Sequence, residues 1–148
     1  VDISSYAINN CPNDISRRLS VISNNNVRKA INKTSFKKKI FDWTISKDVF
    51  EHIKPNDLKI IIHQISKLSK NLFVIVPLGD NLKYRIKQYH MDKTHIVIKD
   101  EDWWKNLFKK NGFEVKKTLY KVDGIKDKWY KYNKFGNGFF ILNSKNIK

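Results

Sequence analysis

Residues 41–53 read Phe41-Asp42-Trp43-Thr44-Ile45-Ser46-Lys47-Asp48-Val49-Phe50-Glu51-His52-Ile53. Phe41–Ile45 reads as a buried strand, and a polar loop follows at Ser46–Asp48. Pro55 suits the first turn of a helix, where its missing N–H would be unpaired anyway. From Asp57 onward Leu58, Ile61, Ile62, Ile65 and Leu68 recur at helical spacing. Leu72–Val76 is a continuous apolar, β-branched run that ends at Pro77, which suits a strand covered on both faces of a parallel sheet. Strand, helix and buried strand in succession make the class α/β. In such sheets ligands lie beyond the carboxyl ends of the strands. Asp2, Asn24–Val27, Ser46–His52 and Pro77–Gly79 each fall just after a candidate strand.

Upstream, Val1–Ile3 reads as the end of a strand. A helix follows to about Asn10, with Ser4 or Ser5 as its cap. Pro12-Asn13-Asp14 is a turn or a new helix start, Leu19–Ile22 a short strand, and Asn24-Asn25-Asn26 a turn. Downstream, residues 79–99 lack periodicity and read as a long excursion. Asp100 caps a helix over Glu101–Asn111, and Gly112 stops it. Trp103 and Trp104 are adjacent, so they cannot both face the core. Glu114–Val122 has strand character, and Gly124–Phe135 is a second excursion rich in Lys, Tyr and Trp. Phe139–Leu142 is a final strand, hairpin-paired with the preceding one. There is no internal repeat and no linker, so residues 1–148 are expected to form one domain.

Hydrophobic residues at 41% and charged residues at 30% exclude a disordered chain. Thirty basic against 14 acidic residues give a net charge of +16. That excess is spread along the chain rather than gathered in a tail. It points to an anionic partner or, with Lys, Asn and Ile all abundant, to an AT-rich genome. Arg17, Arg18, Arg28 and Arg85 are the only arginines, which weakens a nucleic-acid reading because arginine is the preferred fork for phosphates and bases. Cys11 is the only cysteine, so an intrachain disulfide and a cysteine-based zinc site are excluded, as fits a reducing cytoplasm. No apolar run approaches the roughly 20 residues of a membrane helix, and no membrane partner is expected.

The 41–53 segment resembles class I S-adenosylmethionine-dependent methyltransferases, in which a strand beginning Phe-Asp leads into a Ser-x-Asp-Val-x-Glu-His-Ile turn. Val1-Asp2-Ile3-Ser4 resembles the end of that family's second strand. Val74-Ile75-Val76-Pro77-Leu78 and the run from Asp102-Trp103-Trp104 to Asn111-Gly112-Phe113 fit in the same order. The resemblance implies a Rossmann-like sheet with helices on both faces, mostly parallel, with an antiparallel C-terminal hairpin. The family's glycine-rich loop, which allows close backbone approach to the cofactor, has no counterpart here. The resemblance therefore implies a partial domain missing the first strand and helix, the C-terminal part of a longer enzyme.

The resemblance also implies roles for particular residues. Asp2 would accept hydrogen bonds from the ribose hydroxyls of S-adenosylmethionine, unless it is simply an exposed or capping Asp; Ile3 would lie against adenine or in the core. Asn26 and Val27 match the pair that meets adenine, or form a plain turn. Ser46 and Lys47 fall where the family's backbone lines the methionine end of the cofactor. Asp48, Glu51 and His52 are acid–base candidates, with Glu51 and His52 alternatively holding the turn. His95 matches a histidine of the acceptor-side loop, and an unperturbed pKa of about 6.5 lets it take a proton near neutrality. His52 and His95 are thus the catalytic candidates. The four histidines show no metal-ligand spacing, and no metal is expected.

The function expected is transfer of a methyl group from S-adenosylmethionine to an oxygen or nitrogen of a small molecule or sugar-like metabolite, in the cytoplasm. The alternative is a basic nucleic-acid-binding module or RNA methyltransferase that uses Tyr84, Tyr130 and Tyr132 as stacking platforms. An incomplete sheet would leave a strand edge open to self-association.

Overall fold

The computed structural model describes residues 9–12 and 40–147. The chain divides into two compact units, Val1–Lys38 and Lys39–Lys148. Within the first, Asn9 is helical and residues 10 and 11 turn. The expected early strands, and with them Asp2, Ile3, Asn26 and Val27, lie outside the described residues.

The second unit is a mixed α/β layer. Strands β1 (Phe41–Lys47), β2 (Ser69–Pro77), β5 (Phe113–Leu119) and β6 (Asn137–Ser144) form one sheet in the order β1-β2-β6-β5. A two-residue hairpin, β3 (Gly79–Asp80) and β4 (Lys83–Tyr84), stands apart. β1 and β2 are parallel, with Ser46 opposite Val74, and helix α1 (Pro55–Ser66) is their crossover. β6 runs antiparallel to both β2 and β5, so the expected C-terminal hairpin is present and its second strand reaches the middle of the sheet.

Local chemistry accounts for these elements. Pro55 opens α1, and Leu58, Ile61 and Ile62 turn its apolar stripe inward. Helix α2 (Glu101–Lys110) is capped by Asp100, whose Oδ1 accepts from the Trp103 amide at 2.8 Å. Trp104 and Phe108 are fully buried on its inner side and stack with ring centroids 5.9 Å apart. Trp103 lies half-buried beneath the Lys99 ammonium. Gly112 ends the helix at φ +97, where a Cβ would stand 2.5 Å from Ser66 Oγ. The two aperiodic stretches proved to be short pieces: a hairpin and a 3-10 turn (Lys87–Met91) in the first, and the short helix α3 (Asp127–Tyr132) in the second. Arg85 ties the first to the second, donating from Nε and Nη2 to Asp80 at 2.7 and 3.0 Å and from Nη1 to the Phe135 carbonyl.

Among the described residues β1 has one ladder partner, β2. On one face of that strand Trp43 is 53% exposed and Ile45 68%.

Candidate functional site

The carboxyl ends of β1, β2 and β5 and the amino end of β6 meet at one edge of the sheet, because Lys47 pairs with Ile75, Pro77 with Asn137 and Leu119 with Phe139. The connections leaving that edge line a pocket of about 480 Å³. Asp48, Glu51 and His52 enter it from the loop after β1. Gln88, Tyr89, Met91, Asp92 and His95 enter from the excursion after β2, and Lys126 and Trp129 from the segment between β5 and β6.

Glu51, His52 and His95 form the centre of this pocket. One ligand-capable atom from each lies within 4.8 Å of the others. The two imidazoles meet edge to face at 4.7 Å between centroids. Position is imposed by the backbone: the Glu51 carbonyl accepts from the amides of Ile96 and Val97 at 2.9 and 3.0 Å, which binds the His95 loop to the 3-10 turn (Phe50–His52). Asp92 stands behind both rings. It accepts from the Thr94 hydroxyl at 2.5 Å, that hydroxyl contacts His52 Nδ1 at 2.8 Å, and the other Asp92 oxygen lies 3.5 Å from His95 Nε2. A carboxylate that fixes ring orientation from behind is the usual support of a histidine that ligates a metal.

Charge in this pocket is strained. Glu51 is 1% exposed. Burial, with a smaller push from the Asp48 carboxylate, raises its pKa from 4.5 to about 7. Burial and the neighbouring His52 push His95 below its usual value, which favours the neutral form of its ring. Glu51 Oε2 and His95 Nδ1 are buried and have no hydrogen-bond partner among the described residues. A buried carboxylate oxygen and a buried ring nitrogen beside a second imidazole are the donor types a divalent cation with nitrogen and oxygen ligands takes.

Of the sequence candidates, the fold brings His52 and His95 together with Glu51 and Asp48. Ser46 is buried at the end of β1, and its Oγ likewise lacks a partner among the described residues. The Lys47 side chain is half-exposed and bonds Asp48 Oδ2 at 2.8 Å. Asp2, the second lip expected of the pocket, is outside the described residues. Tyr84 is 4% exposed, with its hydroxyl on the Val97 carbonyl, so it cannot serve as a stacking platform. Tyr132 is 53% exposed and can. His90 is structural: its Nε2 accepts from the Tyr84 amide at 2.9 Å. Sequence reasoning did not single out Tyr89, Lys126, Trp129 or Asn137. The Tyr89 hydroxyl donates to Asn137 Oδ1 at 2.7 Å, and its ring stacks on Trp129 at 4.8 Å. The aromatic, Lys-rich composition of 124–135 was the one available signal for Lys126 and Trp129.

The fold is like part of that of the class I S-adenosylmethionine-dependent methyltransferases. Among solved structures, a SAM-dependent methyltransferase from Archaeoglobus fulgidus matches at TM-score 0.65 and 14% identity, over 96% of this chain and 73% of that one. The mitomycin 7-O-methyltransferase MmcR matches at 0.55 and 16%, over 88% of this chain. The small RNA methyltransferase HEN1 matches at 0.54 and 14%, over 80%. This chain spans only 35% of MmcR and 15% of HEN1. At such identities the likeness is one of fold. No protein-family model matches the chain, and no curated protein matches it in sequence.

Proposed function

We propose that this chain carries the acceptor side of a methyl-transfer site: S-adenosylmethionine as donor, a sugar hydroxyl as acceptor, and a divalent cation held by Glu51, His52 and His95. The convergence of those three side chains at the carboxyl edge of a methyltransferase-like sheet carries the reading. Hydroxyls are poor nucleophiles at neutral pH, and a bound divalent cation supplies the acidification they need. Around it, Asp92 and Thr94 hold the His52 ring, and Asp92 faces His95. Ser46, buried with an unpaired hydroxyl at the end of β1, fits the methionine end of the donor. The protein's remaining task is to hold donor and acceptor in line, since the sulfonium is already an activated leaving group.

A second reading places that hydroxyl on the ribose of RNA. Three observations support it. The net charge is +16. The segment beside the pocket interleaves Lys121, Lys128, Lys131 and Lys134 with Trp129, exposed Tyr132 and exposed Phe135. The fold is shared with the small RNA methyltransferase HEN1. Localisation follows the substrate, and no described helix is long and apolar enough to cross a membrane.

Calorimetric titration with Mn²⁺ tests the cation centre: one site is expected, lost in His95→Ala. Absence of binding by the wild-type chain refutes it. Methyl incorporation from labelled S-adenosylmethionine, compared across free sugars, short RNA and the matching DNA, separates the acceptors. Label in RNA but not DNA supports the ribose reading, and label in free sugars alone refutes it.

A further inference from the structure

Lys126 is the cation already present in this pocket. Its backbone sits at φ +60 just before α3, a left-handed conformation that a lysine seldom adopts. Its side chain is only 6% exposed. The ammonium donates to Tyr89 Oη at 3.0 Å and to Asn137 Oδ1 at 3.2 Å, lies 4.9 Å from the Tyr89 ring centroid, and pairs with Asp48 Oδ1. Asp48 is itself in the left-handed region at φ +54, and its other oxygen is taken by Lys47. Two backbone outliers from segments 78 positions apart thus meet in one ion pair. An observed strain of this kind is where a functional hypothesis belongs.

We infer that Lys126 is a positioning residue that competes with an incoming divalent cation for the carboxylates of this pocket and so sets the cation's affinity. The inference rests on the cation centre proposed above. Asp48 and Glu51 line the same pocket, and a buried ammonium neutralises negative charge that a divalent ion would otherwise use. Like charges close together in a partly dry site repel strongly, so ammonium and cation cannot both be held at full strength. An anionic group on the acceptor that engaged Lys126 would free Asp48 and strengthen cation binding, and linkage makes that effect reciprocal.

Mn²⁺ titration of the wild-type chain, Lys126→Met, Lys126→Arg and Lys47→Met provides the test, with circular dichroism confirming the fold of each. Lys126→Met should bind on the order of tenfold more tightly or better. Lys126→Arg should stay near wild type. Lys47→Met, which removes an equal charge from a half-exposed position, should change affinity less than Lys126→Met. Unchanged or weaker binding by folded Lys126→Met overturns the inference while leaving the cation centre standing, provided His95→Ala still abolishes binding. Absence of binding in every chain overturns both.

Discussion

Replacing Glu51 by Gln should make the protein more stable at neutral and alkaline pH. Glu51 is almost fully buried, and its pKa rises from 4.5 to about 7 on folding, chiefly through burial. At about 1.4 kcal/mol per pKa unit, that rise corresponds to roughly 3 kcal/mol. Between those two values the folded chain holds a proton that the unfolded chain has released. Stability therefore falls as pH rises through that window, and the full cost applies above about 7. The substituted amide would be neutral throughout. The difference between the two chains should be small at pH 4.5, grow toward pH 7, and level off above it with wild type the weaker. His95 contributes with the opposite sign, because a depressed histidine pKa costs stability as pH falls below its usual value; it is present in both chains and cancels to first order. Urea denaturation from pH 4.5 to 8.5 in a chelator measures the difference directly. Parallel pH profiles for the two chains would refute the argument.

Three further expectations follow from packing and bonding. Gly112→Ala must place a Cβ against Ser66 and Asn146 at a φ that disfavours it, so thermal denaturation should show a loss of more than about 1 kcal/mol. Tyr89→Phe removes the buried hydroxyl that joins Asn137 and Lys126, and should cost about 1–3 kcal/mol in denaturant without changing the secondary-structure spectrum. If the exposed Trp43 and Ile45 of β1 drive self-association, the double change Trp43→Thr with Ile45→Thr should abolish any concentration-dependent increase in sedimentation coefficient.

The α/β class was legible because α1 and β2 carry strong local signals: a helical stripe behind Pro55, and an uninterrupted β-branched run. The cap at Asp100 and the stop at Gly112 were legible for the same reason, since each is a backbone requirement that few residues meet. The site was legible in halves. Ser46 to His52 could be placed because they follow a strand directly. His95 could be named but not joined to His52, because nothing in the long stretch between them has a spacing that brings the two together. What unites them is a backbone contact, Glu51 carbonyl to the Ile96 and Val97 amides, which any residue types could make. The Asp92–Thr94–His52 chain was hidden likewise: in sequence, Asp92-Lys93-Thr94 is an ordinary polar turn. Lys126 was one of many lysines until its burial set it apart.

Burial of charge separates this edge from the rest of the second unit. Several acidic groups there pair with lysines in solvent, as Asp42 does with Lys70 and Asp123 with Lys121, and such exposed pairs contribute little either way. Asp48, Glu51 and Asp92 are instead drawn to one pocket, and of the three Glu51 is the buried one, with a net cost of about 3 kcal/mol to its charged form on the scale above. In a chain of net charge +16, nothing about solubility requires a cluster of carboxylates and imidazoles. Folding alone would favour an apolar residue at position 51, since burial of this carboxyl outweighs the backbone hydrogen bond and the lysines that favour its charged form. A bound cation reverses that sign, because it makes the ionised carboxylate the preferred form. The same group that weakens the empty fold would then anchor the occupied one, and perturbed ionisable groups in a cleft are the mark of such sites.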